Sequence, residues 1–174
     1  VFNLARREAD LAFRFGAFTQ ENLIERRVGE VAYALYASNA YLRRHGAPDA
    51  ANGYAGHHLV YLDRAAGEVP HEAWLSGLAT QARTVLHVNG LRAHLAVARE
   101  GAAMAVLPCL LADREPLLQR VDVPHPMPVR SVRVGFHSDM RDSPRIRALI
   151  DHVVQEFDLL RATLTPNNPE QPLR

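Results

Sequence analysis

Apolar residues recur along this chain at two periods, and the switches between them mark its elements. Asp10-Leu-Ala-Phe-Arg14 alternates weakly before Gly16, which predicts a short buried strand ending near Arg14. Leu23 to Tyr36 is a second extended stretch, with Gly29-Glu30 expected to bend or bulge it. Ser38 to Gly46 predicts a short helix: Ser38 can accept from the unpaired amides of the first turn, Gly46 suits a left-handed end, and Pro48 blocks continuation. Leu59 to Leu62 predicts a strand, while Val69 to Ala82, around Trp74, fits neither period. Thr84 to Val88 predicts a strand that runs through Asn89-Gly90 into an amphipathic helix with Leu91, Leu95 and Ala98 on one face, closed by Gly101. Ala103 to Leu107 and Val132 to Phe136 are further strands, and Pro108 occupies a first helical position. The strongest pattern follows Ser143-Pro144. Ile146, Leu149, Ile150, Val153, Val154, Phe157 and Leu160 stand three or four apart, a stripe on a helix of about five turns. Strands alternating with helices imply an α/β class with a mainly parallel sheet.

Length and composition narrow the classes. The 174 residues can bury one real core or two small lobes, and 48% hydrophobic with 22% charged residues is ordinary for a globular chain. The formal net charge is +1, and the arginines are scattered, so no basic face marks a nucleic-acid footprint. All 20 basic residues are Arg. Guanidinium forks suit anion recognition, but a codon bias explains the same count. The run of ~18 apolar residues that spans a bilayer does not occur, and the charged opening Arg6-Arg7-Glu8 is unlike a signal peptide. A cytoplasmic protein without membrane contact is the expectation.

Catalytic and metal signatures are missing. A single cysteine, Cys109, excludes a disulfide framework or a multi-cysteine zinc site. It follows Pro108, where a helix start could lower a thiol pKa or the side chain could pack as a small apolar group. The nine histidines include no pair at i, i+4, and there is no H-E-x-x-H, G-x-S-x-G, G-x-G-x-x-G or phosphate-binding loop. No catalytic residue, metal site or cofactor is assigned.

Several segments, in their order, are similar to those of one family. Asp10-Leu-Ala-Phe-Arg14 resembles the "D-hydrophobic-A-hydrophobic-R" strand of LysR-type transcriptional regulators. Tyr36-Ala-Ser-Asn-Ala-Tyr-Leu-Arg-Arg-His-Gly-Ala-Pro48 resembles their "A-S-P-x-Y-L-x-x-H-G-x-P" crossover, with Asn39 in place of Pro. Tyr54 to Val60 resembles "D-L-x-x-H". Val88 to Pro108 resembles "N…A…G-x-G-I-A-x-L-P", with Ala103 at the second glycine. Ser143 to Asp151 resembles the terminal "S-P-R-V-R-A-F-I-D" helix. The likeness spans residues 3 to 163.

The resemblance implies the effector-binding part of such a regulator: a two-lobed, periplasmic-binding-protein-like (type 2) α/β fold, truncated here at its N-terminal edge. Crossings near Ala37 and Leu107 would give one lobe of residues 1–36 with 108–163, a second of 38–106, and a disordered tail of 164–174. It implies a small, anionic effector, a homodimer or homotetramer, and promoter DNA as a partner through an N-terminal helix-turn-helix absent from this chain. A periplasmic solute-binding protein and an enzyme of the same fold are the alternatives.

In such folds ligands sit at strand ends and helix N-termini. Asn89 and Gly90 open a helix straight after a strand, so their amides can hold a carboxylate, or Asn89 simply caps the helix. Arg14, Phe15 and Gly16 follow a strand end, where Arg14 could pair an effector anion or a carboxylate of its own lobe. Ser38 could touch a ligand or only cap. Phe136 and His137 close a strand that faces the same region. Trp74 lines a pocket or packs in the core.

Overall fold

The computed structural model describes residues 4, 9–20, 22–63, 70–124 and 129–166. Backbone proximity divides the chain into two compact units, residues 1–31 with 129–174 and residues 32–128. One strand, β2 (Leu23–Ser38), contributes to both.

In the first unit β1 (Leu11–Phe15), β7 (Val129–His137) and the first part of β2 lie in the order β1-β7-β2. β1 and β7 are antiparallel, with Leu11 opposite Phe136, Arg14 opposite Arg133 and Phe15 opposite Val132. Side chains directly opposite share a face. Leu11, Phe13, Phe15, Val132, Val134 and Phe136 therefore lie on one side, and Ala12, Arg14, Arg133 and Gly135 on the other. Helix α5 (Pro144–Leu159) opens as its sequence predicts, with Ser143 at the N-cap and Pro144 in the first turn, and it buries Ile146 and Ile150. Leu149 and Leu160 of the predicted stripe are 40% and 45% exposed. The short α6 (Arg161–Leu164) follows, and Leu164 and Thr165 are buried. Residues 167–174, the rest of the expected tail, lie outside the described residues.

Gly29 does not bend β2. A Cβ built there would lie 1.9 Å from the ring of Phe157 on α5. The glycine is demanded by an approach between helix and strand, and β2 stays extended through it.

In the second unit β2 lies between two antiparallel partners, β5 (Ala105–Pro108) and β6 (Leu118–Arg120); Tyr36 pairs with both Ala105 and Arg120. β3 (His58–Leu62) and β4 (Arg83–Val88) are parallel, and a parallel bridge from Leu59 to Met104 joins β3 to the segment entering β5. The expected mainly parallel sheet is thus corrected: β3–β4 is parallel, but β1–β7, β2–β5 and β2–β6 are antiparallel. Antiparallel and parallel neighbours bury the same residues, so hydropathy cannot report strand direction.

Among the described residues, four helices belong to this unit. Helix α1 (Asn39–His45) has the predicted ends: Ser38 Oγ accepts from the Tyr41 amide at 3.1 Å and Gly46 has φ +81°. Helix α2 (Pro70–Leu78) resolves the ambiguous segment, half-burying Trp74 and stacking His71 on Tyr33 at 4.1 Å. Helix α3 (Leu91–Arg99) buries His94 and Ala98, while Leu91 of the predicted stripe is exposed. Pro108 ends β5 and caps the four-residue α4 (Cys109–Ala112) without entering it. The core packs Ala32, Ala34 and Tyr36 of β2 against Ala98, Ala103, Ala105, Leu107 and Cys109. So many alanines let helix and sheet backbones approach closely. The Tyr36 hydroxyl donates to Asp113 Oδ1 at 2.7 Å, and Arg120 grips the same carboxylate from Nε at 2.9 Å and Nη2 at 2.5 Å. Burial alone would raise the Asp113 carboxyl, but these donors hold it below its ordinary range.

Gly29→Ala should therefore destabilise the chain by about 1–3 kcal/mol, the usual range for overpacking. A lowered urea midpoint at unchanged slope is the expected reading. Adding Phe157→Leu should restore part of the loss.

Candidate functional site

The sequence candidates fall at four places, two in each unit. In the first unit Arg14 and Phe15 end β1, and Gly16 turns the chain with φ +79°, its amide donating to Ser131 O at 3.3 Å. The Arg14 guanidinium lies 5.4 Å from the Phe18 ring centroid, and its Nε donates to Phe15 O at 3.4 Å. Among the described residues no carboxylate pairs with Arg14. Phe15 is 36% exposed, and the Arg130 guanidinium stands 4.3 Å from its ring centroid.

Phe136 and His137 lie at the other end of the same strand pair, because Leu11, not Phe15, faces Phe136. Four residues of strand, about 13 Å, separate the two sets. Phe136 is 8% exposed. His137 Nδ1 accepts from the Asp139 amide at 3.3 Å and so caps a short 3-10 helix, Ser138–Met140. There it lines a cavity of about 80 Å³ with Leu4, Ala9, Asp10, Asp139 and Met140.

In the second unit Ser38 is 1% exposed. Its hydroxyl is spent on the Tyr41 amide and lies 2.9 Å from where a Cβ on Gly101 would stand. Asn89 is exposed, and the cap position of α3 belongs to Gly90, which is extended and offers no side chain. The reading of Asn89 as the cap is corrected: the helix begins one residue later, so its first-turn amides are left to backbone and solvent. Strand registers put Ser38 level with the Arg83 end of β4 and Asn89 beyond its Val88 end, six residues or about 20 Å further along the strand. Neither unit gathers its own candidates into one spot.

Three groups that the sequence reading passed over complete the Arg14 end. Phe18 lies against Gly135, where a Cβ would meet its ring at 2.6 Å. Arg133 Nη1 donates to Glu25 Oε1 at 2.6 Å, and the Phe18 amide donates to Glu25 Oε2 at 2.9 Å. An isolated glycine inside the Val132–Phe136 strand was the available signal, since it marks a close approach.

Histidines cluster at the far end of α1. The His45 ring stacks on Tyr41 at 4.4 Å and meets His58 edge-on at 5.0 Å. Tyr41, 0% exposed, shares its hydroxyl between His57 Nδ1 at 3.2 Å and the His58 amide at 2.7 Å. Burial, then the charge of neighbouring imidazoles, lowers the pKa of His57 and His45. Burial also lowers His94, whose Nε2 lies 2.9 Å from Val60 O. Cys109 is fully buried and its thiol pKa is raised by desolvation, so packing, not activation, describes it.

Residues 2–158 match the sequence profile of the LysR substrate binding domain. The chain belongs to this family. A relative is the HTH-type transcriptional regulator CrgA of Neisseria meningitidis serogroup C (strain 8013), 26% identical over 166 residues, covering 89% of this chain and 54% of CrgA. The chain thus spans about half the length of the curated relative it matches. The CrgA regulatory domain of Neisseria meningitidis has the same fold, with TM-score 0.71 at 20% identity over 89% of this chain and 78% of that one. The effector-binding domain of QuiR in complex with shikimate superposes with TM-score 0.66 at 13% identity over 90% and 75% of the two chains. The fold is the α/β, type 2 periplasmic-binding-like architecture of LysR regulatory domains, as the sequence motifs imply. Among the described residues no helix of this LysR-family chain is long and apolar enough to cross a membrane.

The lowered histidines set a pH dependence. An unfolded histidine titrates near about 6.5. Folded pKa values below that mean the unfolded chain binds more protons in acid, so stability is full above about pH 6.5 and is lost as pH falls through the lowered values. Urea midpoints measured at pH 7.5 and 5.5 should show the acid loss, and His94→Gln or His57→Gln should make the two midpoints more alike.

Proposed function

We propose that this chain is the effector-sensing domain of a DNA-binding transcription regulator, and that its effector is a small metabolite bearing a carboxylate. The observation that carries this reading is the family match over residues 2–158. Two relatives support it. CrgA is named as a helix-turn-helix regulator, and the QuiR domain holds shikimate, a hydroxylated carboxylate.

The lobes of this reading are residues 1–36 with 108–163 and residues 38–106, with the effector between them. The compact units differ from these lobes mainly in residues 108–128, where Cys109 and Leu118 join the core of the second unit. The effector acts by binding one lobe arrangement more tightly than another, and a preference of about 1–3 kcal/mol is enough to switch a promoter. DNA binding belongs to a helix-turn-helix elsewhere in the complete polypeptide, which works in the cytoplasm as a homodimer or homotetramer. The domain senses its ligand and does not transform it, which separates this reading from an enzyme of the same fold. Arg14, Phe15, Gly16, Ser38, Asn89, Gly90, Phe136 and His137 are the candidates from which the contacts come; because strand register parts Arg14 from His137 and Ser38 from Asn89, a small effector touches only some of them.

A thermal-shift screen of the chain against carboxylates, amines and neutral sugars tests the reading. At a hundredfold excess over Kd a true effector should add about 2.7 kcal/mol of stability, and it should be recovered chemically unchanged. Stabilisation by neutral sugars alone would remove the carboxylate claim. Turnover of the stabilising compound would replace the sensor by an enzyme.

A further inference from the structure

The Glu25 carboxylate is held as a bound carboxylic acid would be. One oxygen accepts from Arg133 Nη1 at 2.6 Å and the other from the Phe18 amide at 2.9 Å. A second guanidinium, Arg14, stands directly opposite Arg133 on the same sheet face. Like charges directly opposite repel. Among the described residues the Glu25 carboxylate pairs with Arg133 alone, and Arg14 lies against the Phe18 ring. The side chains of Arg133 and Glu25 are 34% and 31% exposed, so the seat is open to small solutes. The seat is also rigid: Phe18, whose amide is one of its donors, is wedged over Gly135, where any larger residue would strike the ring.

We propose that Glu25 occupies a carboxylate-binding seat as a built-in competitor, and that an incoming carboxylate displaces it to bind Arg133 Nη1 and the Phe18 amide. Arg14 supplies the remaining charge. This rests on the reading of the chain as an effector-sensing domain and names how one side of its site is kept closed. A tethered carboxylate competes at an effective concentration in the millimolar range or above. Simple monocarboxylates therefore lose to Glu25. A ligand that adds a second carboxylate or a hydroxyl within reach of Arg14 wins, so the competitor acts as a selectivity filter for dicarboxylates and hydroxycarboxylates. Glu25 is the third residue of β2, and its release frees the start of that strand from Phe18 and Arg133.

Glu25→Ala should open the seat to acetate. Its melting temperature should rise by about 2–4 °C between 0 and 50 mM acetate at ionic strength held constant with chloride. The wild-type chain and the double variant Glu25→Ala with Arg133→Gln should not respond. An equal response in all three chains, or none in Glu25→Ala, overturns the proposal. A second measurement stands if that variant does not fold: titration of the wild-type chain with succinate, followed by NMR. The Phe18 amide and Arg133 side-chain signals should move together and saturate, and their failure to move overturns the proposal. The two readings fail separately. Succinate that shifts these signals but leaves promoter binding of the complete polypeptide unchanged supports the seat and removes its regulatory role. An effector that regulates the promoter while Glu25→Ala ignores acetate removes the seat alone.

Discussion

The fold depends on β2 remaining one extended strand for sixteen residues while its surroundings change. From Leu23 to Arg27 it is partly exposed and carries three charges; from Val31 to Ser38 every residue is buried. Its backbone bonds are shared among β7, β5 and β6, so no stretch of it can curl without orphaning donors in several strands. Residues buried on both faces must be apolar at consecutive positions, which is why Val-Ala-Tyr-Ala-Leu-Tyr-Ala shows no alternation. The two tyrosines follow the same rule. Tyr33 hides its ring against His71, and Tyr36 can be buried because its hydroxyl reaches Asp113.

Local signals in the sequence were reliable where the chemistry is local. Ser38 and Gly46 bound α1 because a hydroxyl and a left-handed backbone act within a few residues, and Ser143-Pro144 starts α5 for the same kind of reason. What escaped the sequence is long-range. Gly29 was expected to bulge β2, but the ring that requires it lies 128 positions further on, at Phe157. Strand direction was misjudged because antiparallel and parallel neighbours bury the same residues. The α2 segment showed no clean period since it is held through His71 and Leu75 more than by a broad apolar stripe.

The candidate residues show the same division. Strand ends and helix starts could be named from spacing, and Arg14 and Gly90 stand at such places. Which groups surround them could not. Phe18 and Glu25 come from the loop and strand after Arg14, and Arg133 from a strand more than a hundred residues away. Strand register then decides which candidates can share a ligand. It parts Arg14 from His137 and Ser38 from Asn89, distances that a list of motifs does not contain.

Cys109 has a practical consequence. It is the chain's one thiol, fully buried in the alanine-rich core of the second unit, with its ionisation suppressed by burial. A thiol reagent can reach it through an opening of that core and by no surface route. Its labelling rate in native buffer therefore times the exposure of this core, with no label engineered into the chain. Comparing that rate with global unfolding would show whether residues 32–128 open independently of the rest of the chain.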